Sequence, residues 1–150
     1  MFSRFYKTKL EWRRVAVYQP VSVAGLSLLN DDGSDRQDIL KTCHVGMRVI
    51  LRRDPANGDP NGVALFVNEG RQIGELPAEA AEWIAPLLDS GKSAFDGEIW
   101  SLEKKVQAEC RERFACRLLL TQHDLVPVKR FPWSAWFGGD GRSLPKIGVK

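Results

Sequence analysis

The stretch RRDPANGDPNGVALFV, residues 52–67, constrains the fold more than any other part of the chain. Two Asp-Pro and two Asn-Gly steps fall inside a connection of nine residues, 54–62, ahead of an apolar run, where ordinary connections take about 4–6 residues. Each proline fixes its own φ and pushes the preceding aspartate toward extended geometry, while each glycine opens backbone conformations closed to other residues. Such a loop is shaped rather than slack. Asp54, Asn57, Asp59 and Asn61 line it, and three uses are open to them: holding a ligand, binding a metal ion, or satisfying the backbone of a demanding turn.

A chain of 150 residues suits one domain, since that size buries about two-thirds of its unfolded surface. An apolar share of 43% with 27% charged residues is that of a globular protein in water. The longest apolar stretches, such as 23–29, fall far short of the ~20 residues of a membrane span. The N-terminal MFSRFYKTKLEWRR lacks the apolar segment of a signal peptide, so no membrane partner is expected. Cys43, Cys110 and Cys116 are an odd number without CxxC spacing, which argues for structural thiols and a cytoplasmic location. Zinc ligation by Cys43 with His44, or by Cys110 with Cys116, matches no finger spacing. Charge is divided along the chain. Residues 1–14 and 129–150 each carry five basic side chains against one acidic, whereas 15–128 carries 12 Lys or Arg against 17 Asp or Glu. Phosphate contacts need cations where the strand lies, so the basic ends are the electrostatic handle.

Residues 14–29 read as one broken or two short strands, interrupted by Pro20, with Gly25 at a bulge or close approach. Ser34 followed three residues later by Gln37 forms a capping-box pattern ahead of a short helix, DRQDILKTCH, that buries Ile39, Leu40 and Cys43 and stops at Gly46. MRVILRR and VALFV predict two central strands, NEGR a tight turn, and QIGEL a strand ending at Pro77. PAEAAEWIAPLLDSG predicts a helix kinked or restarted at Pro86. FDGEIWSL and FACRLLLTQ follow as strands, with EKKVQAECRER between them open as helix or long hairpin. Phe66, Trp83, Phe95 and Trp100 are expected in the core. The expected fold is mostly β (α+β), a small six-stranded β-barrel with two short helices, rather than a parallel α/β sheet. The expected division is a basic segment with the first strand over 1–20, the barrel over 21–125, and a basic, aromatic extension over 126–150.

The order Gly25, Gly46, VILRRDP, Asn57, Asp59, Asn61, Val63, Val67, GRQIGEL and a helix closing on LLDSG resembles a HIRAN domain over roughly residues 21–103. That family has an oligonucleotide-binding-like barrel, fused to SNF2-type helicases in eukaryotes and often standing alone in bacteria. The resemblance implies a non-catalytic nucleic-acid-binding module in DNA processing, for single-stranded DNA or DNA 3′ ends. Asn57 and Asp59 then stand where the family's DNA binders offer groups to the terminal nucleotide. A carboxylate there accepts a hydrogen bond from a free 3′-hydroxyl and repels a 3′-phosphate. Other positions depart from that pattern: Leu28 replaces an aromatic base platform, Ser27 an arginine and Glu75 a histidine, Ala78 or Pro77 stands for a lysine, and Gly58 directly precedes Asp59 where a second aromatic is expected. Weaker end capture follows, since stacking is worth about 1–3 kcal/mol per base.

KRFPWSAWFG interleaves Lys129 and Arg130 with Phe131, Trp133, Trp136 and Phe137. Such a mix suits a single strand or, equally, a protein partner. The NGDPNG run from Asn57 fits half of a calcium-loop pattern but has Asn68 at the closing position instead of a bidentate glutamate. His44 and His123 are the only histidines, and no GxSxG, HExxH or phosphate-loop motif accompanies them. His123 beside Asp124 is the one dyad candidate. No enzyme activity and no cofactor are expected; the alternative to nucleic-acid binding is a protein-interaction or assembly module on the same barrel.

Overall fold

The computed structural model describes residues 7–55, 59–106 and 112–130. Seven strands and two α-helices occur among them, in the order β1 (Lys7–Val17), β2 (Val21–Ser22), α1 (Arg36–Leu40), β3 (Arg48–Arg53), β4 (Val63–Val67), β5 (Arg71–Glu75), α2 (Ala78–Asp89), β6 (Ser93–Val106) and β7 (Glu112–Arg130). Residues Arg13–Asp124 form one compact unit. Met1–Trp12 and Leu125–Lys150 form a second, whose described residues belong to β1 and β7.

The sheet runs β1-β7-β6-β3-β4-β5, with β2 paired to β7 off this path. It corrects the expected six-stranded barrel in two respects: there are seven strands among the described residues, and the sheet is not closed. Between β7 and β5 stands only a short segment. Its Val21 and Ser22 pair with Leu118 and Arg117 of β7, and Ala24 makes an isolated antiparallel bridge to Glu75 of β5.

Local sequence explains most elements. β4 is VALFV with four of five residues buried, as befits a strand covered on both faces. In β3, Val49 is buried between exposed Arg48 and Ile50, the period of a half-covered strand. The uncertain EKKVQAECRER is a hairpin, because the β6–β7 ladder continues to Val106 opposite Glu112. α1 is shorter than expected, and its cap is Asp35, whose Oδ1 accepts the Gln37 N–H at 2.9 Å. Ser34 binds Asp32 instead, because Gln37 is committed elsewhere and leaves no reciprocal capping box. Pro86 lies within α2, which continues to Asp89.

The core packs Leu40, Leu65, Ile73, Ile84, Ile99, Leu118 and Leu120, all fully buried, each worth about 1.5–3 kcal/mol of transfer free energy. α2 turns Ala80, Ala81, Ile84 and Ala85 inward. Trp83 joins Tyr18 and Phe95 at ring separations of 4.8 and 5.8 Å. Of the four rings expected in the core, Phe95 is buried, Phe66 is half-buried, Trp83 is 38% exposed, and Trp100 is 50% exposed because it falls on the outward side of β6 in step with Asp96 and Glu98. Cys43 and Cys116 are free and buried, and desolvation pushes the Cys116 thiol up to about 12, so it stays protonated at neutral pH.

Gly74 is a point of close approach between β5 and the 23–24 segment. A Cβ there would lie 2.5 Å from the Ala24 carbonyl oxygen and 2.5 Å from Val23 Cγ1. Gly74→Ala is expected to lower unfolding free energy by about 1–3 kcal/mol, the usual cost of overpacking, read as a lower urea midpoint. An unchanged midpoint would show that the 23–24 segment yields freely.

Candidate nucleic-acid interface

Three segments flank β5 or belong to it. β4 begins where β5 ends, with Ala64 opposite Glu75, and Glu75 in turn exchanges backbone bonds with Ala24, at 2.8 and 2.9 Å. The end of β5 therefore stands between the start of β4, which residues 59–62 lead into, and Ala24, from which the turn runs back along β5 as far as Gln72.

The turn is built from α1. Arg36 is 6% exposed; its Nη1 donates to the Gly25 carbonyl at 2.9 Å and its Nε to Asn30 Oδ1 at 2.7 Å. Asn30 passes the connection on, its Nδ2 donating to Ser34 Oγ and to the Gln72 carbonyl of β5, both at 3.0 Å. Leu28 closes the turn through its N–H to Gly25 O at 3.2 Å. A buried guanidinium spent on backbone and amide acceptors fixes this shape, because leaving it unpaired is costly. Ser27, Leu28 and Leu29 stand outward, the leucines 53% and 63% exposed. The Glu75 side chain, 38% exposed, sits 3.8 Å from Arg36 Nη1.

The described end of the loop, residues 60–62, is pinned by Arg53. Its Nη1 and Nη2 donate to the carbonyls of Gly62 and Pro60, at 2.6 and 2.7 Å, and its Nε to Asp89 Oδ1 at the end of α2, at 2.9 Å. Asp54 N–H also donates to Gly62 O, and Gly62 N–H to Asp59 O. Gly62 has to be glycine, since a Cβ would lie 2.2 Å from the Asp54 carbonyl oxygen. Asp59 Oδ1 accepts the Asn61 N–H at 2.9 Å, and the side chain is otherwise exposed. A carboxylate carries about four acceptor positions, so one such bond leaves capacity for a ligand hydroxyl.

Of the residues singled out in the sequence, Ser27, Leu28, Glu75 and Asp59 lie on these three segments. Asn57, Trp133 and Trp136 lie outside the described residues. Lys129 and Arg130 are the last residues of β7, in the second unit, and their side chains are also outside the description. His123 and Asp124 form no dyad. His123 Nδ1 lies 3.5 Å from Asp96 Oδ2, while Asp124 Oδ1 accepts from Ser93 Oγ and Gln122 Nε2; those donors hold the Asp124 carboxyl below its usual range. Among the described residues no group of three His, Cys, Asp or Glu side chains converges as a metal site, and no helix is long and apolar enough to cross a membrane. Sequence reasoning missed Arg36 and Arg53. Only the acceptor-rich turns they serve hinted at them.

The family model described as HIRAN domain matches residues 17–121. Two solved structures share the fold. A protein from Lactobacillus plantarum is 21% identical, with a TM-score of 0.56 over 77% of this chain and 99% of that one. The HIRAN domain of human HLTF is 22% identical, with a TM-score of 0.51 over 78% and 79%. No curated protein matches the chain.

Removing the Arg53 fork is expected to free the loop before it unfolds the molecule. In Arg53→Ala, amide exchange should quicken at Asp54 and Gly62 while the core of β4 stays protected, with a global loss of about 1–2 kcal/mol. Unchanged exchange at both amides would contradict the pinning role.

Proposed function

This chain belongs to the HIRAN domain family, and we propose from that premise that it is a non-catalytic nucleic-acid-binding module whose ligand is single-stranded DNA or a DNA 3′ end. The observation that supports the reading is a pair of rigid connections around β5: the turn bearing Ser27 and Leu28, held by Arg36, and the loop bearing Asp59, held by Arg53, with the end of β5 bearing Glu75 between the segments they continue. Preorganised groups lose less freedom on binding. In this reading Asp59 accepts the terminal 3′-hydroxyl, with Asn57 as its neighbour on the loop, and Leu28 offers an apolar face to the end base. Glu75 opposes the phosphates, offset in part by Arg36. Lys129, Arg130, Trp133 and Trp136 supply further strand contacts.

A second reading, a protein-interaction module, draws on the opposite side of β3 and β6. There, bonds between Gly46 N–H and Ile99 O and between Ile99 N–H and Met47 O bring the exposed Val45 and Trp100 near each other. Salt separates the two readings. Binding to a single strand should weaken with a slope of roughly −0.7 per phosphate neutralised in log K against log salt; an apolar interface should be nearly indifferent.

Fluorescence titration with matched 3′-hydroxyl and 3′-phosphate single strands at two salt levels tests this directly. Wild-type protein is expected to prefer the 3′-hydroxyl, Asp59→Ala to lose the preference, and Glu75→Gln to bind both strands more tightly. No binding at micromolar protein would end the nucleic-acid reading. Equal binding of both strands, unaffected by Asp59→Ala, would remove Asp59 from the site and leave the strand contacts.

A further inference from the structure

A pocket of about 280 Å³ opens between the Ser27 turn and the β6–β7 ladder. Its floor is apolar, from Val23, Leu26 and Phe114, and its rim carries Ser27, Lys105 and Arg113. Gln37 fastens its two walls together. The amide Nε2 donates to Leu26 O and to Phe114 O, at 3.2 and 3.1 Å, and Oε1 accepts the Phe114 N–H at 2.6 Å. The cavity is therefore shaped before anything enters it.

Its charge is out of keeping with its surroundings. Residues 15–128 are acidic overall, yet Lys105 and Arg113 are direct partners in the β6–β7 ladder. Directly opposed side chains share a face with Cβ atoms about 4.5–5.5 Å apart, and like charges so placed destabilise the pair. Neither cation has an ion-pair partner among the described residues. Two unpaired cations beside a hydroxyl and an apolar floor are complementary to a nucleotide, with its anionic phosphate and flat, weakly polar base.

We propose that this pocket seats an internal nucleotide of a single strand whose terminus lies at the 3′-end site above. Lys105 and Arg113 take one phosphodiester, Ser27 Oγ donates to a phosphate or sugar oxygen, and the apolar floor receives a base. Ser27 and Leu28 are consecutive on one turn, so the two subsites adjoin. This inference rests on the nucleic-acid reading above and extends it to Lys105, Arg113 and the pocket floor, which that reading does not use.

The test compares full-length Lys105→Ala/Arg113→Ala with Arg48→Ala/Lys92→Ala, which removes the same charge from exposed positions that do not line the pocket. Each is titrated with a short 3′-hydroxyl single strand across a salt series, and with the same strand carrying one neutral methylphosphonate linkage near its 3′ end. The pocket variant is expected to bind roughly tenfold more weakly at low salt, with a salt slope shallower by about 0.7, and to become insensitive to the neutral linkage. Its thermal midpoint should not fall, since opposed like charges have been removed. The control should keep both slope and sensitivity. Equal losses in both variants would mean a net-charge effect, and equal affinity of wild type and pocket variant would remove the site; either overturns this inference while the nucleic-acid reading stands. Displacement of the strand by millimolar deoxynucleoside monophosphate would assign the pocket to free nucleotides instead. A wild-type protein that binds no strand at all would overturn both.

Discussion

The backbone of Ala24 lies where any side chain at position 74 would have to be. That contact is what lets the 21–24 segment reach β5 while its other residues stay in register with β7. Without it, the turn bearing Ser27 and Leu28 has no fixed relation to the loop bearing Asp59. A pair of backbone hydrogen bonds contributes only about 1 kcal/mol each, so the close approach matters for position more than for stability. It ties the turn to β5.

Two arginines and a glutamine then hold the turn and its neighbours. Arg36 is used up on the carbonyl of Gly25 and the amide of Asn30, Arg53 on two loop carbonyls and Asp89, and Gln37 on both walls of the neighbouring pocket. None of these groups is left to meet a ligand with a full set of free donors. Recognition falls instead to the residues they position, Asp59, Glu75 and Ser27, and to the opposed cations of the β6–β7 ladder. Local charge decides more here than the total: a single Glu75 beside the turn outweighs distant basic residues, because exposed charges beyond about 10 Å are largely screened at 0.1 M salt.

Much of this was legible in the chain itself. VALFV announced a strand buried on both faces, and GRQIGEL the β5 turn and strand. The family order of glycines, arginines and asparagines announced the family. What could not be read were long-range partners. Nothing near Arg53 in sequence announces Asp89, and nothing near Gln37 announces Phe114. The open sheet in place of a closed barrel turns on how far the 21–24 segment pairs, which strand propensity does not encode. Trp100 was misplaced because its ring was weighed by type, whereas the strand's alternation, buried at Phe95, Gly97 and Ile99, puts it outward. The cation pair was hidden because EKKVQAECRER has no clear period, and only as a hairpin does it set Lys105 against Arg113.

The claim on which the rest stands is that the turn after Ala24, the end of β5 and the loop 54–62 act together on one ligand. A backbone amide NMR titration of the full chain with a short single strand tests it most directly. Shifts concentrated at Leu26–Leu29, Glu75 and Asp59–Gly62, changing together along one saturation curve, are the expected result. Shifts confined to Val45, Trp100 and their neighbours, or separate curves for the turn and the loop, would contradict it.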